Sequence, residues 1–546
     1  MFGLLSVSQA AVLALVLWAF WRLVRFYVLP STLDNVPGPE PSSIIWGDIT
    51  KLFGSHSRAF HMDLWRRFPP VVKIKTFLGQ RMLYVYDPKA MHHIIVKDQY
   101  LYEETPTFLN FNRLVFGPSL LSSLGEEHRQ QRKLLNPVFH INHMRHMSTT
   151  FYRITHRLRN TLRRKVSDGP KEIEMLDWIT RTALELLAQG GLGTSFDTLD
   201  DDNPHPLVRD LKALVPSSRP FFILARFLPI ERLARVGSAK LRRWVVDHIP
   251  SRRLHRVVAI VDHLENVNKG VLARKKAALA AGDEAVMEQV GEGKDIMSVL
   301  LKANMKASEH DKMSDEELLG HMSSLMFAAM ETTSGALARI LHLLAQHPEV
   351  QEKLRQEIIE ARRGGDVDYD ELVALPYLEA VCRESMRVHS PAGMMSRMTR
   401  EDVVLPLSSP IKGNDGTMMN EIAVPKDTVV TIGILASNCN QDLWGPDALE
   451  WKPERWLKPL PETVTEAHIP GVYSNLMTFL GGGRACIGFK FSQMEMKIVL
   501  SVLLETFRFK LSDKEVTWNL GGLQAPAVGK DGRAEMPLVV ELVSPQ

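Results

Sequence analysis

One cysteine in the chain has neighbours that suit a reactive thiolate. Cys486 lies in the stretch FLGGGRACIG (residues 479–488), behind three glycines and an arginine. Glycines let the backbone approach a flat ligand closely, and amide groups turned toward the sulfur would stabilise its thiolate form. Cys382 and Cys439 are the only other cysteines, too few for a disulfide framework. The stretch therefore predicts a thiolate that binds a metal-bearing cofactor, with a free structural cysteine as the alternative.

Polar side chains interrupt an otherwise apolar helical segment, FAAMETTSG (residues 327–335). Glu331, Thr332 and Thr333 stand there among Leu, Met, Phe and Ala. Polar groups in such a place need a partner or a task. Two alternatives to a functional role stay open. The segment is a solvated stripe on a surface helix, or Thr332 bonds back to a carbonyl oxygen one turn earlier.

Two further segments hold charged residues that can pair. In YLEAVCRESMRVHSP (residues 377–391), Glu384 and Arg387 are three residues apart on one helical face. Alone, such a pair is usually a weak surface salt bridge. The loop WGPDALEWKPERW (residues 444–456) offers Arg455 beside two tryptophans, and by itself it indicates only a loop.

Hydrophobic periodicity indicates a mainly α protein with small β-sheets. Apolar residues at helical spacing cover about 134–196 and 255–362, whereas strand-like stretches occupy 71–87 and 535–543. Ser314 and Glu317 form a predicted capping box for a helix of about thirty residues that ends near Gln346. The 546 residues include 66 Lys and Arg against 63 Asp and Glu. A net charge of +3 does not predict nucleic-acid binding.

The N-terminal segment has the pattern of a membrane anchor. Residues 2–21 carry no charge, and Arg22 and Arg25 follow at once, which predicts a spanning helix with the rest of the chain on the cytosolic side. A cleaved signal peptide is the alternative, although basic residues before the apolar run and a cleavage site after it are missing. Prolines at 30–41 predict an extended linker. We therefore expect an anchor at 1–28, a proline-rich linker at 29–45 and one large domain at 46–546.

Four motifs occur in order between residues 328 and 488. They are A-A-x-E-T-T, E-x-x-R, P-E-R-W and F-x-x-G-x-R-x-C-x-G. This series resembles the cytochrome P-450 family over essentially the whole body of the chain. The last motif is the most specific, because all its positions match: Phe479, Gly482, Arg484, Cys486 and Gly488. The resemblance implies the cytochrome P-450 fold and a heme-thiolate catalytic domain at 46–546.

The resemblance also implies roles for the residues of the heme site. Cys486 would be the proximal metal ligand, binding the iron of heme b through a thiolate that pushes electron density onto it. Arginines would pair with the heme propionates, because a guanidinium matches a carboxylate. The implied cofactor-binding residues are Arg132, His128, Arg397, Arg484, Phe479 and Gly482. His128 departs from the tryptophan usual at its position; it can still donate to a propionate, with a charge that depends on pH.

The remaining motifs are assigned in the same way. Glu331 and Thr332 would be the catalytic acid and alcohol that deliver protons to oxygen. The glycine usual just before this pair is replaced by Ala329, whose methyl group narrows the space above the heme. A buried structural network would form beneath the heme from Glu384, Arg387 and Arg455.

The resemblance implies a heme-dependent monooxygenase of secondary metabolism. It would insert one oxygen atom from O2 into a lipophilic small molecule, such as a terpenoid or another natural product. Electrons would come from a separate NADPH–cytochrome reductase, so NADPH acts only indirectly. The reductase would dock on the basic cluster of Arg129, Lys133 and Lys490, with ordinary solvated charges as the alternative. The expected location is the endoplasmic reticulum membrane, single-pass, with the catalytic domain in the cytosol.

Two other classes of function remain as alternatives. A heme-thiolate isomerase or dehydratase would need no reductase, and a membrane-bound heme sensor would have no catalytic activity. The intact pair of Glu331 and Thr332 argues against both.

Overall fold

A computed structural model describes residues 7–54, 57–197, 199, 205–224, 233, 236–309, 311–473, 475–529 and 532–543. Helices make up most of this part of the chain. The α-helices are α1 (Val7–Leu23), α2 (Ile49–Phe53), α3 (Ser57–Arg67), α4 (Pro88–His92), α5 (Pro106–Phe116), α6 (Gly125–Leu135), α7 (Ile141–Lys165), α8 (Met175–Leu186), α9 (Pro206–Leu224), α10 (Ala239–His248), α11 (Arg252–Ala281), α12 (Asp283–Met287), α13 (Ile296–Lys306), α14 (Asp315–Gln346), α15 (Pro348–Ala361), α16 (Tyr369–Ala374), α17 (Pro376–Val388), α18 (Ile434–Asn438), α19 (Gln441–Trp444), α20 (Glu462–Glu466) and α21 (Phe489–Thr506).

In the described ranges the strands are short and form four small sheets. They are β1 (Val71–Lys75), β2 (Arg81–Val85), β3 (Tyr102–Glu103), β4 (Lys171–Glu174), β5 (Met395–Thr399), β6 (Val403–Lys412), β7 (Met418–Val424), β8 (Val429–Ile432), β9 (Phe507–Leu511), β10 (Val516–Leu520), β11 (Gln524–Val528) and β12 (Pro537–Leu542). Their orders are β1-β2-β8-β5-β3, β4-β12-β9, β10-β11 and β6-β7. Together with the helices, these sheets confirm the predicted mainly α class.

Helix α14 is the long helix that the sequence predicted. Ser314 accepts from the amide of Glu317, and the Glu317 carboxylate accepts from the amide of Ser314, so the capping box is complete. The helix has 32 residues and is therefore about 48 Å long. Leu337, Leu341 and Leu344 are fully buried in the core shared with α7, α8 and α21. Packing along its length fixes the position of the polar residues near its middle.

The largest sheet carries two segments toward the candidate site. Strand β5 pairs antiparallel with β3, with Glu103 opposite Met398. This register places Glu104, just after β3, beside Arg397 on β5. Strand β8 joins β5 to β2 and pairs with β2 in parallel. The site thus receives residues that lie almost 300 positions apart in the chain.

Part of the predicted linker packs on the body. Leu33 and Val36 are buried in a cluster with residues of the largest sheet. Asp34 forms an ion pair with Arg81 at 2.6 Å. The amide of Lys73 donates to the carbonyl oxygen of Pro37 at 2.9 Å. These contacts attach residues 33–37 to the sheet.

The predicted membrane anchor covers residues 1–28, of which 1–6 lie outside the described residues. In the described part, α1 has 17 residues and a π-helical turn follows at Val24–Val28. Across the described ranges, no helix combines the length and the hydrophobicity that crossing a bilayer requires. The anchor therefore remains a prediction.

Candidate active site

The loop before α21 includes a backbone contact that only glycine permits. A tight turn at Gly482–Arg484 leads from Phe479 to Cys486, whose amide donates to the carbonyl oxygen of Phe479 at 2.9 Å. Gly482 has a φ of +65°, and a Cβ atom there would lie 1.7 Å from the carbonyl oxygen of Ile95. The glycine is thus required for packing against residue 95, a reason that differs from the predicted approach to a flat ligand. The Phe479 ring packs on that of Phe489, with centroids 4.8 Å apart.

Cys486 differs from the other two cysteines in its surroundings. Cys382 and Cys439 are buried, whereas Cys486 is exposed. Its sulfur is nevertheless crowded by protein: burial raises the pKa of the thiol, while the amide of Gly488 and the charge of Arg132 act in the opposite direction. The residue is therefore exposed although protein surrounds its sulfur, and two nearby groups favour its thiolate form.

Six basic side chains line one cavity of about 760 Å³ beside this loop. Arg129 and Lys133 pair with Glu126 and Asp311; the other four are His128, Arg132, Arg397 and Arg484, and Gly482 lines the cavity with them. Arg132 donates to the carbonyl oxygen of Ala485, next to Cys486, at 2.6 Å. Burial, followed by the charges of the three arginines, lowers the pKa of His128 to about 3. His128 is therefore neutral at physiological pH, which differs from the predicted dependence of its charge on pH.

An acidic residue that the sequence analysis did not identify lies within this basic cluster. One carboxylate oxygen of Glu104 is 3.3 Å from Arg397, and the other is 3.3 Å from Arg484. The remaining acids at the cavity have partners of their own, since Glu103 pairs with Arg400 and Glu126 with Arg129. Three arginines and one glutamate leave two positive charges. This excess equals the charge of the two propionates of heme b.

Glu331 and Thr332 lie near the middle of α14. Burial raises the pKa of the Glu331 carboxyl to about 7, and the charge of Lys212 acts in the opposite direction. In the part of the chain that the structure describes, Glu331 Oε1 is buried without a hydrogen-bond partner. Thr332 donates to the carbonyl oxygen of Ala328 at 2.8 Å. This is the hydrogen bond to the preceding turn that the sequence analysis gave as an alternative. The carboxyl can therefore gain and lose a proton near neutral pH.

Glu384, Arg387 and Arg455 meet in one buried network. Arg387 donates two hydrogen bonds to the Glu384 carboxylate, at 2.7 and 2.8 Å, and neither side chain is exposed. Arg455 approaches the same carboxylate at 3.5 Å. The carboxylate also accepts from the Trp456 indole at 2.9 Å and from the amide of Lys452 at 3.0 Å. The pair is therefore not the weak surface salt bridge that its spacing alone would suggest.

Of the basic residues predicted to meet a reductase, Arg129 and Lys133 are exposed and line the same cavity, whereas Lys490 is half-buried. Arg129 pairs with Glu126 at 3.0 Å, and Lys133 pairs with Asp311 at 3.4 Å. The Lys490 amino group lies 5.1 Å from the centroid of the Phe489 ring. The acids at Glu126 and Asp311 reduce the positive charge of this surface.

These features fit a heme bound through a thiolate. Cys486 is exposed, a cavity with two excess positive charges lies next to its loop, and a buried acid and an alcohol lie on the long helix. A mainly helical fold with these groups defines a heme-thiolate protein.

Comparison with known proteins agrees with this class. The family model described as "Cytochrome P450" matches residues 37–524. Cytochrome P450 monooxygenase 91 of Postia placenta is 50% identical over 99% of both chains. Ganoderic acid synthetase of Ganoderma lucidum is 45% identical, over 96% of this chain and 97% of that protein. A cytochrome P450 monooxygenase of Hericium erinaceus is 39% identical over 98% of both. The chain belongs to the cytochrome P450 family and is a monooxygenase whose cofactor is heme.

Proposed function

We propose that the protein inserts one oxygen atom from O2 into a lipophilic small molecule, using electrons from a separate NADPH–cytochrome reductase. The observation that carries this proposal is the position of an accessible Cys486 thiol beside a cavity with two excess positive charges. Heme bound there supplies the redox chemistry that activates oxygen. In this proposal Cys486 is the iron ligand, and Arg132, Arg397 and Arg484 hold the two propionates.

The proposed catalytic role of the distal residues is proton delivery. Glu331 takes up and releases a proton near pH 7, because burial raises the pKa of its carboxyl to about 7. Thr332 donates to Ala328, and its hydroxyl oxygen can still accept a hydrogen bond from a water molecule. The positive charge of Lys212 acts on Glu331. The Lys212 Nζ atom lies 3.7 Å from Oδ1 of Asp177. These charged groups offer a route by which protons from solvent reach Glu331.

The proposed network of Glu384, Arg387 and Arg455 is structural. Glu384 and Arg387 are fully enclosed, and Arg387 also donates to backbone carbonyl oxygens of the 438–450 segment. It holds α17 against the loop that leads to the Cys486 segment. Its residues take no part in proton transfer.

The proposed substrate is a hydrophobic natural product, and a terpenoid is the preferred class. The relative named ganoderic acid synthetase, 45% identical to this chain, supports this choice. The hydrophobic core around α14 includes the buried side chains of Met326, Met330 and Leu337.

We also propose that the chain is held on the endoplasmic reticulum membrane by residues 1–28, followed by a linker at 29–45 and the catalytic domain at 46–546. The described part of α1 exposes large apolar side chains, which favour contact with lipid: Leu13, Val16, Leu17, Phe20 and Trp21. The Trp244 and Leu241 side chains on α10 are also exposed. The cytosolic domain would then meet the reductase through Arg129, Lys133 and Lys490.

The test is turnover by the full chain in membranes that contain an NADPH–cytochrome reductase. We expect product that carries one atom from isotope-labelled O2, with NADPH consumed in step, from a panel of terpenoid precursors. Omitting the reductase or O2 should abolish the product. Turnover without NADPH or O2 would favour the isomerase or dehydratase instead, and a heme-bound chain that converts no precursor would favour a sensor.

A further inference from the structure

A second basic cluster lies away from the heme cavity. Arg339 Nη2 is 3.1 Å from both ring nitrogens of His389, and Arg58 Nη1 is 3.4 Å from the Nδ1 atom of the same histidine. The Arg339 guanidinium is stacked 4.5 Å from the centroid of the Trp518 ring. The Trp518 indole donates to His342 at 3.1 Å. Two arginines thus meet around one histidine.

This cluster carries positive charge that no acid balances. Among the described residues, no carboxylate forms an ion pair with Arg58 or Arg339, and Arg339 Nε is buried without a hydrogen-bond partner. Cys439 lies near Arg58, but burial raises the pKa of its thiol, which stays neutral. Burial and the charge of Arg58 lower the pKa of Arg339 to about 9, so Arg339 remains cationic at neutral pH. Buried charges in proteins are nearly always paired.

The cluster is connected to the reaction site by α14. Arg339 follows Thr332 by seven residues, which places both on one face of the helix, about 10 Å apart along its axis. The β10–β11 hairpin covers the same stretch, because a Cβ atom on Gly335 would lie 3.3 Å from the carbonyl oxygen of Gln524. The amide of Gln524 in turn donates to Pro391, two residues after His389. The elements around the cluster are thus also neighbours of the proposed site of oxidation.

We infer that Arg58 and Arg339, with His389 between them, form a site for one oxyanion. A guanidinium binds a carboxylate or a phosphate through two parallel hydrogen bonds, and the free Nε of Arg339 supplies one such donor. The anion is either the carboxylate of a lipophilic acid substrate or a free inorganic ion. The first source rests on the proposed function. It would place the carboxylate roughly 10 Å along α14 from the position of oxidation.

The first measurement detects the site whatever its source. The unfolding temperature of the heme-bound chain is measured at increasing concentrations of inorganic phosphate. A chloride salt in a zwitterionic buffer keeps the ionic strength constant. We expect phosphate to stabilise the native chain and the Arg145→Gln control, because Arg145 lies on the surface and pairs with Asp370. Arg339→Gln should lose this response. Arg58→Gln is the second variant, in case Arg339→Gln does not fold.

The second measurement identifies the source. Dodecanoic acid and its methyl ester are titrated against the heme spectrum of the native chain and of the same variants. If the site binds a substrate carboxylate, Arg339→Gln should weaken the affinity for the acid about tenfold and the affinity for the ester less than about twofold. Equal affinities for acid and ester, together with a phosphate response, assign the site to a free inorganic anion.

Absence of both effects would overturn the inference. The proposed monooxygenase function would still stand in that case, provided that NADPH-dependent and O2-dependent oxygenation of a neutral precursor persists. Loss of that oxygenation in the native chain would instead contradict the proposed function, whatever the anion response.

Discussion

The hydroxyl of Thr332 donates to the carbonyl oxygen of Ala328 at 2.8 Å, whereas the adjacent Thr333 donates to Ser492 on α21 at 3.3 Å. Neighbouring residues of a helix point about 100° apart, so the two hydroxyls face different surroundings. Thr333 is buried between two helices, and Thr332 is only half-buried. Thr333 therefore connects two helices, whereas the hydroxyl oxygen of Thr332 can still accept a hydrogen bond.

Replacing Thr332 by Ala should uncouple NADPH consumption from product formation. Electron supply does not depend on this side chain, so NADPH oxidation continues, while less product and more hydrogen peroxide are released. The measurement is the ratio of product to NADPH, together with peroxide. Thr333→Ala is the matched control, and we expect it to lower the unfolding temperature without changing that ratio. Equal ratios in the Thr332 variant and the native chain would remove Thr332 from proton delivery.

The carboxyl of Glu331 should make the stability of the fold depend on pH. Its pKa rises from 4.5 to about 7 on folding because of burial, so between these values the folded chain holds a proton that the unfolded chain has lost. The contribution of Glu331 to stability therefore falls as pH rises from 4.5 to 7 and changes little above that. Glu331→Gln should remove this part of the decline in unfolding temperature. A variant with the same pH profile as the native chain would contradict the raised pKa.

Sequence patterns over a few residues predicted the helix start and the helical pairing, which depend on neighbours along the chain. Ser314 and Glu317 are three residues apart, and their capping box correctly predicted the start of α14. The pairing of Glu384 with Arg387 follows from helical spacing, but their burial does not, because it depends on the 438–456 segment. No sequence pattern pointed to Glu104, because only the pairing of β3 with β5 places this acid beside Arg397. Arg58 and Arg339 meet in the same way, across 281 positions of the chain.

Replacing Cys486 by Ser should abolish the thiolate-type spectrum of the reduced carbon monoxide complex. A serine hydroxyl is not ionised at neutral pH and is a much poorer iron ligand than a thiolate. The buried Cys382 and Cys439 provide matched controls, and their alanine variants should keep the native spectrum. Retention of the thiolate spectrum in Cys486→Ser would assign the ligand to another cysteine.

Replacing Glu384 by Gln should strongly destabilise the fold. The change leaves Arg387 buried with its positive charge unpaired, and removal of one partner from a buried ion pair costs about 3–5 kcal/mol. The free energy of unfolding is measured in urea with the heme bound. Glu126→Gln removes an exposed partner of Arg129 and should cost less than about 1 kcal/mol. Similar losses in the two variants would contradict a structural role for the buried network.

Replacing Glu104 by Gln should raise the reduction potential of the bound heme. The Glu104 carboxylate lies between Arg397 and Arg484, so its loss raises the charge of the cluster from two to three and leaves one positive charge unmatched by the propionates. A positive charge favours the reduced iron, and at this separation the shift is on the order of tens of millivolts.

Redox titration of the purified protein measures this effect. Glu103→Gln is the matched control, because Glu103 pairs with the more accessible Arg400 at 3.2 Å and solvent screens its charge. We expect the control to keep the native potential and the Glu104 variant to exceed it. A heme-bound Glu104 variant with an unchanged potential would show that the carboxylate positions the arginines without balancing their charge against the propionates.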